Sequence, residues 1–302
     1  MNNTDTNSSL RDDFTRIEGL TTFYGTIISI TCYIVLIFTY SKFRQLQNIP
    51  GICTIAMTVS FLLSDLVLIN YGKYWKTKSC RYFGMSNHYL LLVSQMWVTI
   101  ICFDLAMTMH SSISTTTRNK AKTFLKYLAI SLTIPLLFVA PAITLDSIGQ
   151  IDVGYGKDCW IKDFETRLWS YIAPTALMFV VAFSLLIKTV HRVYKTKRDA
   201  NRTLGSRQGH SNTVRLAAKL AIVLALIELL NYIQIPGEAT VTKSISIFLV
   251  TMRSLKGVFI CFIFLFNKKV LNLYKGMMKE CGEDQEVTRN RRESGVTTTE
   301  TV

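Results

Sequence analysis

LTTFYGTIISITCYIVLIFTY, running from Leu20 to Tyr40, holds 21 residues without a single charge. At about 1.5 Å of rise per residue, a helix of this length crosses the ~30 Å hydrocarbon layer of a bilayer. A soluble surface helix would show a polar stripe instead. The pattern recurs at Gly51–Tyr71, Gly84–Met109, Phe124–Leu145, Leu168–Ile187, Leu220–Gln234 and Ser244–Phe266, which makes seven predicted spans. The sixth has the shortest apolar core, Leu220 to Ile233, and Arg215 and Lys219 can snorkel to extend it. The expected fold is an all-α membrane protein: a seven-transmembrane helix bundle at 20–266, preceded by an extracellular N-terminal tail at 1–19. A cytoplasmic amphipathic helix and disordered tail follow at 267–302.

The distribution of charge orients the bundle. Segments 41–50, 110–123, 188–219 and 267–302 carry 21 Lys and Arg, against ten in 1–19, 72–83, 146–167 and 235–243. Loops rich in Lys and Arg stay in the cytoplasm, so the N-terminus is placed outside and the C-terminus inside. Acids cancel bases in the outer segments and in the spans, which puts the whole net charge of +14 on the inner face. Such a face attracts anionic membrane lipid and is not read as a nucleic-acid surface.

Met1–Gly19 is polar and charged, so no cleavable signal peptide is expected and the first span serves as its own signal anchor. Asn2 and Asn7 head glycosylation sequons on the outer tail, whereas Asn201 falls inside. Of the seven cysteines, only Cys80 and Cys159 lie in outer segments, where oxidising conditions allow a disulfide. Cys32, Cys53, Cys102 and Cys261, in or at the ends of spans, read as small apolar residues. Cys281 follows the basic, partly apolar run Asn267–Lys279 and is a palmitoylation candidate.

These residues resemble a family. Cys80 opening the third span, with Cys159 in the second outer loop beside Trp160, is an arrangement shared by most G-protein-coupled receptors. The Cys-Trp pair is similar to the secretin/adhesion class, and other stretches resemble its methuselah-like branch. Phe43-Arg-Gln-Leu-Gln-Asn-Ile-Pro-Gly51 is similar to that family's Leu-Arg-Asn-Leu-x-Gly turn. Trp97-Val-Thr-Ile-Ile-Cys-Phe-Asp104 looks like its Trp…Phe-Asp pattern. Ala225-Leu-Ile-Glu228-Leu-Leu-Asn-Tyr232 resembles Trp-x-x-Glu-Ile-Ile-Ser-Tyr, and Leu255-Lys-Gly-Val-Phe-Ile260 resembles Leu-Gln-Gly-Val-Phe-Ile. The likeness covers residues 20–275.

The chain departs from the pattern at Ile101, where secretin receptors carry glutamate, and at Leu132-Thr133, where Trp-Gly precedes Pro135. Lys256 stands in place of glutamine, and the large ectodomain has no counterpart. The resemblance implies a plasma-membrane receptor, not an enzyme, that passes an extracellular signal to a heterotrimeric G-protein. It implies no cofactor. Without an ectodomain, the ligand binds the bundle directly or a separate partner captures it.

Charges inside a span are costly and face the bundle interior, so Asp65, Asp104, Glu228, Arg253 and Lys256 are the functional candidates. Three acids and two bases can also simply pair as structure. Asp65 and Arg253, with Lys256 and Trp160, are placed around a ligand pocket open to the outside. Asp104, Glu228, Trp97 and Gly257 are assigned to the activation switch and G-protein coupling, with Glu228 exchanging partners between states. Pro135, Pro141 and Pro174 each remove a backbone donor and are expected to kink their helices.

The basic third inner loop, His191–Arg215, suits a G-protein's acidic surface or anionic lipid. Ser294 and Thr297–Thr301 are compatible with phosphorylation and arrestin docking. The terminal Glu-Thr-Val resembles a PDZ ligand.

Three other classes compete. A retinal photoreceptor would use Lys256 as its Schiff-base lysine, but needs a third-span carboxylate at mid-membrane, where Thr99 and Ile101 are uncharged and Asp104 is too deep. A membrane metal hydrolase would cluster histidines and acids, and only His88, His110, His191 and His210 exist, so no metal is expected. A transporter would show internal repeats or paired broken helices, and neither is visible.

Overall fold

The structure, a computed structural model, describes residues 3–74, 79–110, 119–155, 159–161, 163–200, 240–266 and 269–279. The predicted sixth span Leu220–Gln234 with Glu228, and the positions Asn2, Asn201, Cys281, Ser294 and Thr297–Thr301, lie outside these residues.

Among the described residues the regular structure is helical. Helices α1 (Asn3–Lys42), α2 (Ile49–Tyr74), α3 (Ser79–His110) and α4 (Lys120–Ser147) follow one another through short connections. A turn at Phe164–Arg167 and a π-helical turn at Leu168–Ile172 lead into α5 (Ala173–Ala200). Then come α6 (Thr240–Ser254), α7 (Lys256–Leu265) and a final helix, α8, over 269–279.

Five stretches are long and apolar enough to cross a membrane: Arg16–Lys42, Ile49–Asn70, Ser79–Thr108, Lys120–Ser147 and Phe164–Arg192. A sixth is a bent pair, Ile247–Ser254 with Lys256–Leu265, broken at 44°. Helix α3 is the central element: its apolar window is 72% buried, whereas that of α4 is 22% buried.

In hydrocarbon, every backbone polar group must find a partner inside the protein, which is why these segments are helices. Their hydroxyls follow the same rule. Thr26, Thr58, Ser94 and Thr175 each donate to the carbonyl four residues earlier, at 2.6–2.7 Å. A polar residue thereby sits in a span without an unsatisfied group.

Between α1 and α2, Arg44–Leu46 forms a single 3-10 turn and the Asn48 side chain accepts from the Gly51 amide at 3.0 Å. Pro50, whose missing donor costs nothing in a first turn, starts α2 beside it. A Cβ at Gly51 would overlap the Leu46 carbonyl, so this turn requires glycine there. Helix α8 docks on the same turn. Lys269 donates to the Gln45 carbonyl at 3.0 Å, Tyr274 shares a 2.7 Å hydrogen bond with Thr39, and its ring meets Phe43 edge-on at 5.2 Å.

Three expectations meet the helix boundaries. Helix α1 begins at Asn3, within the segment expected as the N-terminal tail. Helix α4 runs continuously through Pro135 and Pro141, and at α5 the π-helical turn precedes Pro174 and widens the backbone where a donor is missing. The last span, expected as one helix, breaks at Leu255, whose φ and ψ are −90° and 9°.

The break has a physical partner. Ser29 Oγ of α1 donates to the Ser254 carbonyl at 2.6 Å and accepts from the Gly257 amide at 3.2 Å. A Cβ at Gly257 would stand 2.7 Å from Ser29 Cβ and 2.8 Å from its Cα, so α1 and the break touch at backbone distance. We expect Ser29→Ala, which strips both groups of their partner, to lose about 1–3 kcal/mol. Gly257→Ala should lose a similar amount, about 1–3 kcal/mol, through overpacking. Thermal unfolding of detergent-purified protein checks both, and full retention of the melting temperature by either variant contradicts this account of the break.

Candidate functional site

Lys256 is the first residue after the break, and its side chain turns into the bundle. Its Nζ lies 2.8 Å from Asp65 Oδ1 of α2 and 5.1 Å from the centre of the Phe61 ring. Both charged side chains are almost wholly enclosed, 7% and 3% exposed. Water contributes little to holding these charges, and each is tolerable because the other is present. The Phe61 face adds a cation–π contact, and Phe61 itself stacks on Tyr33 of α1 at 6.3 Å.

The residue before Asp65 extends the polar contact to α3. Ser64 Oγ donates to Asn87 Oδ1 at 2.8 Å, both buried. The residue after Asn87 is His88, fully enclosed, with Nδ1 at 2.7 Å from the Tyr155 hydroxyl and Nε2 at 3.1 Å from the Ser170 carbonyl. A carbonyl only accepts, so Nε2 carries the proton; in the neutral ring Nδ1 is then the acceptor and Tyr155 the donor. Burial, reinforced by the nearby Asp146 carboxylate, pushes the Tyr155 phenol well above its ordinary value and keeps that donor protonated.

Neighbouring positions on α2 (Ser64, Asp65) and α3 (Asn87, His88) therefore carry a buried polar belt, from the break in the last span to the second outer loop. The outer lid closes over it. The Cys80–Cys159 disulfide ties that loop to the start of α3, with 4.7 Å between the two Cα atoms. Cys159 takes a left-handed backbone, φ 50°, which is uncommon outside glycine. Trp160 meets Tyr171 edge-on at 5.4 Å and His88 at 6.3 Å. Arg81 pairs with Asp146 at 2.9 Å nearby.

The structure thus divides the expected pocket residues. Asp65 and Lys256 meet directly. Trp160 stands at the far end of the belt, over His88. Arg253, expected beside Asp65, is half-buried and makes no ion pair among the described residues, because the break carries Lys256, three residues on, to that carboxylate instead.

The switch candidates also fall into separate places. Asp104 Oδ1 accepts from Tyr127 of α4 at 2.8 Å, and Trp97 stacks on Phe124 of the same helix at 5.9 Å. Seven residues apart, Trp97 and Asp104 share the α3 face that meets α4. Gly257 belongs to the Ser29 contact. Ser29, Ser64, Asn87 and Tyr155 were not singled out from sequence. Nothing in a lone serine or asparagine marks it as a contact between spans, although adjacent polar pairs such as Ser64-Asp65 and Asn87-His88 in otherwise apolar stretches are a usable signal.

Among the described residues no group of three or more His, Cys, Asp or Glu side chains comes together as a metal site.

A family model described as 7 transmembrane receptor (Secretin family) matches residues 17–260. Individual relatives are more distant. A probable G-protein coupled receptor, Mth-like 7 of Drosophila melanogaster, is 22% identical over 68% of this chain and 45% of its own length. Adhesion G protein-coupled receptor L4 of Danio rerio is 25% identical over 83% of this chain and 33% of its own. The G-protein coupled receptor Mth of Drosophila yakuba is 23% identical over 88% and 54%. The chain spans about a third to a half of the length of these relatives.

Removing one member of the buried pair strands the other. Lys256→Met should lose about 3–5 kcal/mol, and Asp65→Leu the same, while the double variant recovers most of that loss. Thermal unfolding in detergent reads the cycle, and additive losses in the double variant would contradict a coupled pair.

Proposed function

Because the chain belongs to the secretin family of seven-transmembrane receptors, we propose that it is a G-protein-coupled receptor that carries an extracellular ligand signal across the plasma membrane to a heterotrimeric G-protein. The match over residues 17–260, which takes in nearly all the spans, carries this reading. The relatives are receptors, and no catalytic step belongs to the function.

Buried charges give such a receptor its two states. An ion pair in low dielectric is stable closed, and is stable open only when each charge finds another partner, so intermediate arrangements are disfavoured. The Lys256–Asp65 pair joins the broken last span to α2 in the outer half of the bundle. A ligand that offers either charge a partner, entering past Trp160, favours the open arrangement. Glu228 of the predicted sixth span and the Asp104–Tyr127 contact serve the cytoplasmic end, where the basic segment 191–215 attracts the G-protein's acidic surface and anionic lipid.

The test is guanine-nucleotide exchange on purified heterotrimeric G-proteins of each Gα class, using membranes from cells that express the full chain. Basal exchange should exceed that of control membranes, and Glu228→Gln and Lys256→Gln should each change it about fivefold or more, the lower end of a coupling near 1 kcal/mol. Exchange indistinguishable from control with every Gα class, in the unaltered chain and both variants, would overturn the proposal.

A further inference from the structure

Segments 39–51 and 267–279, which dock on each other at the inner end of the bundle, carry six Lys and Arg and no Asp or Glu. The docking contacts fix where the bases stand. Lys269 of α8 reaches the turn with its own ammonium, Nζ at 3.0 Å from the Gln45 carbonyl, and Arg44 is the residue before Gln45. Phe43, which meets the Tyr274 ring edge-on at 5.2 Å, has Lys42 on one side and Arg44 on the other. Tyr274 shares a 2.7 Å hydrogen bond with Thr39, and the residue after it is Lys275. Lys42, Arg44, Lys269 and Lys275 are all exposed. Hydrogen bonds and a ring contact thus hold together four bases that repel one another, and neither segment supplies an acid to offset them.

The height of this patch in the membrane is also set. Lys42 Nζ lies 5.7 Å from the centre of the Phe38 ring, one turn back on α1, and Phe38 is 60% exposed on the lipid side of the bundle. An ammonium at the end of an apolar, lipid-facing stripe stands at headgroup level. Helix α8 is divided in the same way. Val270, Leu273 and Tyr274 pack on the bundle, whereas Leu271 and Met278 are exposed beside the bases. A helix whose free surface combines basic and apolar side chains lies along the membrane interface.

We propose that Lys42, Arg44, Lys269 and Lys275 form a site for one inositol lipid of the inner leaflet that carries two phosphates on its ring. The charge and its arrangement set this class. Ammonium groups and a guanidinium fork both suit phosphate oxygens. A headgroup with one negative charge offsets one base, whereas a ring with two phosphates carries charge and acceptors enough for bases on both elements. Anionic inner-leaflet lipid is attracted by each Lys or Arg at this depth, and the attraction grows with the number of bases it meets. Bound there, the lipid bridges the α1–α2 turn and α8 and adds to the hydrogen bonds that dock them. The site is separate from the Lys256–Asp65 pair and independent of the signalling reading.

The test is native mass spectrometry of the detergent-purified full chain with equal concentrations of phosphatidylcholine, phosphatidylserine and phosphatidylinositol 4,5-bisphosphate. One molecule of the bisphosphorylated lipid should be retained, about tenfold or more in preference to phosphatidylserine. The double variant Lys42→Gln with Arg44→Gln should lower that retention about tenfold, and Lys120→Gln with Lys122→Gln, the same charge change at the start of α4, should leave it within about twofold. Amide hydrogen exchange on the unsubstituted protein is the second readout. Exchange across 269–279 should slow with the bisphosphorylated lipid and stay unchanged with phosphatidylserine at matched total charge. Equal retention of the two anionic lipids, equal losses in the two double variants, or no slowing across 269–279 overturns the proposal. The exchange measurement decides it even if a variant fails to fold.

Discussion

A helix that breaks inside a lipid layer releases backbone groups that water cannot reach, and in this protein one hydroxyl takes up two of them. Ser29 donates to the Ser254 carbonyl and accepts from the Gly257 amide. A hydroxyl can do both at once because it has one donor and two acceptor sites. The contact requires α1 to approach at backbone distance, which Gly257 permits by having no Cβ. Position, direction and tolerance of the break are therefore set jointly by three residues on two spans.

The consequence lies one residue from the contact. Lys256 follows the non-helical Leu255, and the 44° bend points its ammonium at Asp65. Desolvating two charges is unfavourable, and their attraction offsets this only in good geometry. Neighbouring residues extend that geometry, through Ser64 and Asn87 to His88 and the Tyr155 lid. The outer half of the bundle joins its spans through these polar contacts together with the Trp160–Tyr171 ring contact, and the inner half through Trp97 on Phe124 and Tyr40 on Phe264 together with the Asp104–Tyr127 and Thr39–Tyr274 hydrogen bonds.

Both kinds of contact suit a bundle with two alternative arrangements. Charged and hydrogen-bonded groups have discrete alternative partners, and close-packed aromatic contacts transmit displacement with little compression. Helix α3, the most enclosed span, takes part in both halves: Asn87 and His88 at its outer end, Trp97 and Asp104 further in.

The sequence by itself determined that the chain crosses a membrane repeatedly, because about twenty uncharged residues in a row have one stable environment, and the backbone there has one stable conformation. It also marked the cysteines of the outer disulfide, the turn at Phe43–Gly51 and the charged residues that must lie inside. Partner choice was beyond it. Arg253 and Lys256 are three residues apart on one span, and an unbroken helix offers no reason to prefer Lys256 for Asp65. The tertiary structure decided in favour of Lys256 because Ser29, more than two hundred residues away in the chain, satisfies the backbone of a break that pattern alone does not reveal. Hydrophobic period reports which medium a residue faces; which residue it faces depends on the approach of two helices, and that is set by shape.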